Sequence, residues 1–262
     1  MRKLSLPTFS WVVLAFLAMP ALVVVPLSFS SVRFFVFPPP GWSLRWYTNF
    51  LTAPDWQLAI FISVGLGLAS TLIALVLGTL ASIALVRYRF RGRNFVYALL
   101  LSPLIMPVII LAIGLYFTFA PLGYVGSPVA IVVGHVILAV PYVIVTLMAA
   151  LERFDITLER AALSLGCPPW QVFLRVTFPI IRPAFLAATF LAFLASFDDL
   201  LIALFLGGPR MKTIQLQMWQ GIRFESDPTI AAASSMLMLL SLAVFVAVQA
   251  QTRRGLRNSA RR

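Results

Sequence analysis

Apolar residues run through this chain in long uninterrupted blocks, with the charges gathered in the gaps between them. Leu4 to Val32 carries no charge over 29 residues, and Trp56 to Val86 none over 31. Asn94 to Leu151 extends the same character for 58 residues, too long for one crossing, and the turn-rich stretch from Pro121 to Pro128 divides it. Pro183 to Leu206 holds one acidic pair, Asp198-Asp199, and Pro228 to Thr252 is uncharged. About 20 apolar residues cross a bilayer as a helix. Six helices follow, at about 8–32, 57–86, 95–119, 128–150, 183–206 and 229–252, with a polar loop over 151–182. A β-barrel would alternate polar and apolar positions, and these blocks do not. Lipid offers the backbone no hydrogen-bond partner, which favours helices. The expected fold is all-α, a polytopic membrane protein whose residues 1–262 form a single transmembrane domain.

Composition agrees and removes the competing classes. The chain is 61% hydrophobic and 11% charged, whereas a soluble domain carries about a quarter charged residues. The one cysteine, Cys167, excludes a disulfide framework within the chain and any multi-cysteine metal site. The formal net charge of +12 raises the possibility of a nucleic-acid partner, but the positions of the cations explain it better. With both termini in the cytoplasm, 15 of the 20 Lys and Arg residues lie inside and 5 outside, the bias that sets membrane topology. The loop Arg87 to Arg93 and the Arg-rich tail then rest against anionic lipid headgroups, with no nucleic acid expected. Arg2-Lys3 followed by an apolar run imitates a signal peptide, yet the run is long and lacks a clean cleavage site. It is expected to remain as the first helix.

Chemistry is mostly absent. The only lysines, Lys3 and Lys212, do not fall in a phosphate-binding Gly-x4-Gly-Lys-Ser/Thr loop. A lone histidine, His135, precludes a multi-histidine metal site and is expected to make a helix-packing hydrogen bond rather than relay protons. Small residues at four-residue spacing (Ser63, Gly67, Thr71; Gly78, Ser82) suit close helix approach. No nucleophile, base and metal set is assembled, so no catalytic residue is expected.

The segment Leu151 to Arg182 is the longest polar interruption between helices. Ala161, Ala162 and Leu163 favour helix, and Gly166 ends it. Pro168-Pro169 can open a second short helix, whose Trp170, Phe173 and Leu174 recur at i, i+3 and i+4. Such an apolar stripe either lies on the bilayer surface or enters a groove on a partner.

This segment resembles the cytoplasmic signature of the inner-membrane permeases of ATP-binding-cassette importers: E-A-A, three residues, G, nine residues, I-x-L-P. Ala161-Ala162, Gly166 and Pro179 fall in register, with Val176 and Phe178 as apolar replacements. Arg160 occupies the signature's glutamate position, and a glutamate stands one step earlier at Glu159. Ser102-Pro103, Pro107 and the stretch SFDDLLIALFLGGP from Ser196 to Pro209 extend the resemblance to the spermidine/putrescine branch, with Thr213-Ile214-Gln215 where that branch usually has T-L-P.

The resemblance implies a type I importer permease in a bacterial inner membrane, forming half of a pathway for a small organic solute, foremost a polyamine. Its implied partners are a second related permease, two copies of a cytoplasmic ATPase that binds ATP and Mg, a periplasmic solute-binding protein and membrane lipid. This chain itself would hold no cofactor. Glu159, Arg160, Ala161, Ala162, Gly166, Trp170, Phe173 and Leu174 would couple it to the ATPase. Asp198 and Asp199, the acidic residues within a span, are the pathway candidates, because a charge in hydrocarbon is costly and is kept for a purpose. Adjacent helical residues point about 100° apart, so one is expected to face the pathway while the other pairs with a neighbouring helix. An ion-coupled secondary transporter is the other reading of that pair, but it would normally show repeated halves.

Overall fold

The computed structural model describes residues 5–224 and 228–259. Among these residues the structure is helical, with one isolated bridge between Ser30 and Trp42. The helices are α1 (Ser5–Ser28), α2 (Arg45–Thr52), α3 (Pro54–Arg87), α4 (Arg93–Leu101), α5 (Val108–Phe119), α6 (Pro128–Arg153) and α7 (Ile156–Ser164). They continue with α8 (Pro169–Val172), α9 (Phe178–Phe197), α10 (Leu201–Leu206), α11 (Ile214–Phe224) and α12 (Thr229–Ser259). Phe9–Ser28, Pro54–Arg87, Pro128–Arg153 and Pro169–Phe197 are each long and apolar enough to cross a membrane. Arg93–Leu104 with Val108–Phe119 would make a fifth crossing, bent by 100°.

Two of the expected helices are broken, each for a local reason. The helix expected over 95–119 stops in a 3-10 turn at Ser102–Leu104, and α5 restarts at Val108. Pro107 has no N–H to give and its ring would strike the carbonyl four residues back. It sits in extended conformation (φ −56°, ψ 125°) as the residue before α5. The helix expected over 183–206 begins earlier and ends sooner. α8 runs through a π-turn (Phe173–Thr177) into α9, with Pro183 inside the helix, and the chain breaks at Asp198. The π-turn stands where Pro179 would have to donate to the turn before it, and Phe178 N–H reaches back to Phe173 C=O. The expected loop over 151–182 is therefore largely helical. At 1.5 Å per residue the rod Pro169–Phe197, 29 residues, is about 43 Å long, more than an about 30 Å hydrocarbon core.

The chain divides into two compact units, one from Met1–Leu58 and Gln217–Val246, the other from Ala59–Leu216 and Ala247–Arg262. In the first, the chain after α1 folds back so that Trp46 Nε1 donates to Ser30 C=O (2.7 Å) and the Ser28 and Tyr47 hydroxyls meet at 2.6 Å. Asn49 Nδ2 donates to the Thr229 hydroxyl at 2.9 Å, and Phe50 packs edge-on to Trp56. Trp42 is exposed and Trp46 is buried.

In the second unit α6 is the central strut. Ala139, Val140, Val143, Ile144 and Leu147 pack with Ala74 and Leu75 of α3 and with Ala188 and Ala192 of α9. Towards its other end, Ala130, Ile131 and Leu138 meet Leu66, Ala112, Ile202 and Leu206. Small residues permit this closeness. A Cβ at Gly78 would stand 2.6 Å from Val143, one at Gly134 2.7 Å from Ile202, and one at Gly67 2.8 Å from Phe193. Ser82, buried beside Gly78, donates to the Gly78 C=O at 2.6 Å.

These contacts set a stability test. Gly78→Leu is expected to lower the melting temperature of the detergent-purified chain, the usual cost of overpacking being about 1–3 kcal/mol. Gly65→Leu, whose Cβ would meet nothing within 4 Å in this chain, is the control and should melt as the unaltered protein does.

Candidate functional site

Two places gather polar groups that the apolar packing does not require. The first is the break between α9 and α10. Restarting a helix inside an apolar surrounding leaves the N–H groups of its first turn free, and lipid cannot satisfy them. Asp199 answers this: its Oδ2 accepts from Ile202 N–H (2.8 Å) and Ala203 N–H (3.4 Å), so the side chain caps α10. The same oxygen lies 3.5 Å from His135 Nε2, and His135 Nδ1 meets the Ser196 hydroxyl at 2.7 Å. Ser196, His135 and Asp199 are all buried. The histidine thus makes the packing hydrogen bond expected of it, and also faces a carboxylate.

Asp198 is placed differently. It is exposed, and its Oδ1 accepts from Gln215 Nε2 at 3.2 Å. It borders a cavity of about 370 Å³ whose walls come from the bend before α5 (Pro103, Leu104, Met106), from Leu138 and Tyr142 on α6, and from Leu191, Leu194 and Ala195 on α9. Asp199 also reaches this lining. Both helix breaks therefore open onto one space: apolar walls, a tyrosine and a carboxylate end. Such a space is shaped for a cation carried on an aliphatic chain, since a carboxylate replaces the hydration that the cation loses.

The second place is the elbow between α6 and α9. Asp155 caps α7, accepting from the Thr157 hydroxyl (2.7 Å) and Thr157 N–H (2.9 Å), and these two bonds hold its carboxyl below the ordinary range. The lowered value means that this cap is intact above the ordinary carboxylate pKa and is lost as pH falls through the depressed one. α7 ends as Gly166 enters the left-handed region (φ +86°). Gly166 N–H bonds Leu163 C=O and Cys167 N–H bonds Ala162 C=O, the paired bonds of a glycine-terminated helix. Pro168 and Pro169 then start α8.

The expected coupling residues separate into two groups here. Arg160, Ala161, Gly166, Trp170 and Leu174 are exposed, together with Leu163 and Leu165, the last being 85% accessible. Ala162 is half-buried, and Phe173 turns inward onto the cluster of Leu151, Phe154 and Ile181. Glu159 also points inward. Its Oε1 lies 3.0 Å from Arg87 Nη2 at the end of α3 and accepts from the Thr177 hydroxyl at 2.8 Å. Spacing along the chain gave no sign of the Arg87–Glu159 pair, of the His135–Asp199 approach or of Tyr142, because each joins residues on different helices. The signals were an arginine counted only toward topology and a histidine alone in an apolar helix.

Residues 70–256 match the family described as binding-protein-dependent transport system inner membrane component. The chain belongs to this family. It is similar to the putrescine transport system permease protein PotI of Escherichia coli (strain K12), 34% identical over 230 residues that cover 85% of this chain and 82% of the relative. The spermidine/putrescine transport system permease protein PotC of the same strain is 29% identical over 241 residues, covering 92% and 91%. Among solved structures, a bacterial alginate ABC transporter in complex with alginate pentasaccharide-bound periplasmic protein aligns with a TM-score of 0.72. It is 16% identical and covers 97% of this chain and 93% of that one. The fold is thus the type I ABC importer permease fold, and the chain is a multi-pass inner-membrane permease. Both candidate places lie inside the family match.

The two adjacent aspartates should behave differently in a stability measurement. Asp199→Ala removes the acceptor for two N–H groups and is expected to cost about 0.5–2 kcal/mol, the usual value of a lost cap. Asp198→Ala, exposed, should stay within about 0.5 kcal/mol. Thermal unfolding of the two variants in one detergent gives the comparison.

Proposed function

We propose that this chain forms half of the translocation pathway of a polyamine importer, carrying putrescine or spermidine across a bacterial inner membrane. The observation that carries this reading is the Asp198 carboxylate exposed at the end of an apolar cavity. A polyamine is several ammonium groups on methylene spacers, and that cavity offers a partner for each part: carboxylate for an ammonium, Leu and Met walls for the chain. The permeases PotI and PotC, named for putrescine and for spermidine/putrescine transport, support the same solute. Asp198 is the pathway carboxylate in this reading, and Asp199 holds the break open.

The chain works with a second related permease, two copies of an ATPase that binds ATP and Mg, and a periplasmic binding protein. It crosses the membrane six times with both termini in the cytoplasm. The exposed face of Arg160, Ala161, Leu165, Gly166, Trp170 and Leu174 sits in a groove of the ATPase, and Arg160 meets an acidic residue there. The length of the rod Pro169–Phe197 supports this placement, since α8 then stands clear of the hydrocarbon. ATP-driven closure of the ATPase pair draws the two elbows together and tips the permeases from inward- to outward-facing, a rigid-body alternation about a fixed site. The permease makes and breaks no covalent bond.

Three measurements test this. Asp198→Asn is expected to lower uptake of radiolabelled putrescine by about tenfold or more, a charged hydrogen bond contributing about 1.5–3 kcal/mol, while the ATPase still co-purifies. Undiminished uptake would remove the carboxylate site. Trp170→Ala with Leu165→Ala should release the ATPase, because a large apolar anchor contributes on the order of 2 kcal/mol to an interface; retention of the ATPase would place its docking surface elsewhere. Orientation is read from Cys167, the chain's one cysteine. A membrane-impermeant maleimide should label it in inside-out vesicles and not in right-side-out ones.

A further inference from the structure

We infer that Arg87, Glu159 and Thr177 form the joint that turns movement of the elbow into movement of the spanning helices. The inference rests on the proposed docking of the elbow to an ATPase, and it is independent of the solute. Arg87 is the last residue of α3, a helix of 34 residues. Its guanidinium makes contacts to three other residues, on α7, on α6 and at the cap that follows α6. Nη2 pairs with Glu159 of α7 at 3.0 Å, Nη1 donates to the Leu151 C=O in the last turn of α6 at 3.4 Å, and the group lies over the Phe154 ring at 5.4 Å. Glu159 uses the same oxygen for the Thr177 hydroxyl, which is buried in the π-turn leading into α9. One ion pair therefore ties the base of α3 and α6 to α7 and to the root of α9.

Apolar contact alone would let these elements slide. Beneath the pair, Leu151, Phe154 and Ile181 pack with Ile83, Val86, Phe173 and Val176, and dispersion between such side chains is without direction. The carboxylate and guanidinium add direction, because a charge-assisted hydrogen bond fixes both distance and angle. The side chains of Arg87 and Glu159 are only 15% and 18% exposed, so water competes weakly for them. A push on the exposed side of α7 or on Trp170 then reaches three spanning helices at once. Glu159 has no part in touching the ATPase on this account: it is a positioning residue that acts through Arg87 and Thr177.

The experiment uses the complete transporter, with its second permease, ATPase and binding protein, in proteoliposomes. Glu159→Gln, Thr177→Val and Arg87→Gln are each expected to leave the ATPase bound and hydrolysing ATP while putrescine taken up per ATP falls about tenfold. The exchange Arg87→Glu with Glu159→Arg is expected to recover part of that ratio. A joint that merely stabilised the fold would lower the amount of complex and leave the ratio unchanged, and an unchanged ratio in all three single variants overturns the proposal. If Arg87→Gln does not reach the membrane, the near-isosteric Glu159→Gln and Thr177→Val carry the test.

A second readout needs no solute. Nitroxides on Cys167 and on Leu80→Cys, an exposed position of α3, should keep one separation with and without trapped ATP in the unaltered joint, and a changed separation in Glu159→Gln. Equal separations in both proteins overturn the proposal. An unaltered transporter that hydrolyses ATP and ignores putrescine overturns the solute reading alone. Loss of the ATPase from Glu159→Gln would make Glu159 a docking residue and overturn the joint, whereas retention by Trp170→Ala with Leu165→Ala overturns the docking reading.

Discussion

A helix cannot stop inside hydrocarbon unless something other than water receives its free backbone groups. Where the chain restarts as α10 that something is one oxygen of Asp199, which accepts from Ile202 and Ala203 N–H. Much of the second unit is arranged around this oxygen. His135, on the central helix α6, lies beside it and is itself held by Ser196 from the last turn of α9. Ile131, Ile202 and Leu206 close the apolar cover around the capped turn. A buried carboxylate is costly unless its lone pairs are used, and here two backbone N–H groups use them. With Asp199 committed to structure, the neighbouring Asp198 is left exposed toward the cavity. Both residues lie in the break between α9 and α10, where backbone freed from the helix lets one dipeptide divide its work in this way.

The apolar blocks were enough to read an all-helical membrane protein, and the register of Ala161, Ala162, Gly166 and Pro179 was enough to read its family. Those signals survive in sequence because they are local or periodic: block length reports bilayer thickness, and a glycine at φ +86° is required by one helix end. The breaks were harder. Pro107 marks its own break, but the chain also carries Pro141 and Pro183 inside continuous helices, so proline alone does not say where a span divides. What separates the cases is the neighbourhood. Around Pro141 the packed faces of α3, α6 and α9 hold the helix together, whereas around Pro107 the chain lines an open cavity with Met106 and Val108.

The residues proposed for coupling show the same limit from the other side. Gly166, Trp170 and Arg160 lie where a helical reading puts them, exposed on the elbow. Glu159 does not, because it is drawn inward from α7 by Arg87 and Thr177. Phe173 does not, because α8 is not a free surface helix but the first turn of a rod that continues into α9. Once the rod is continuous, the inner side of that turn must pack on Leu151 and Ile181, and a stripe counted on an isolated helix is shared between partner and core.

These two regions make opposite use of polar groups, and the difference suits an importer. At the α9–α10 break, polarity is spent on backbone that the bilayer would leave bare, and a second carboxylate remains exposed beside the cavity. At the elbow, polarity is spent on direction: Arg87 and Glu159 lie at the edge of an apolar cluster that already holds the segments together. Between them runs α6, whose Ala139, Val143 and Leu147 are fully buried and whose last turn offers Leu151 C=O to Arg87. His135 stands near one end of that helix and Leu151 near the other, 16 residues apart, or about 24 Å at 1.5 Å per residue. A close-packed helix transmits displacement because its core neighbours cannot be compressed. The same strut that seats the capped carboxylate therefore ends at the ion pair beneath the elbow, the path along which the proposed joint would act.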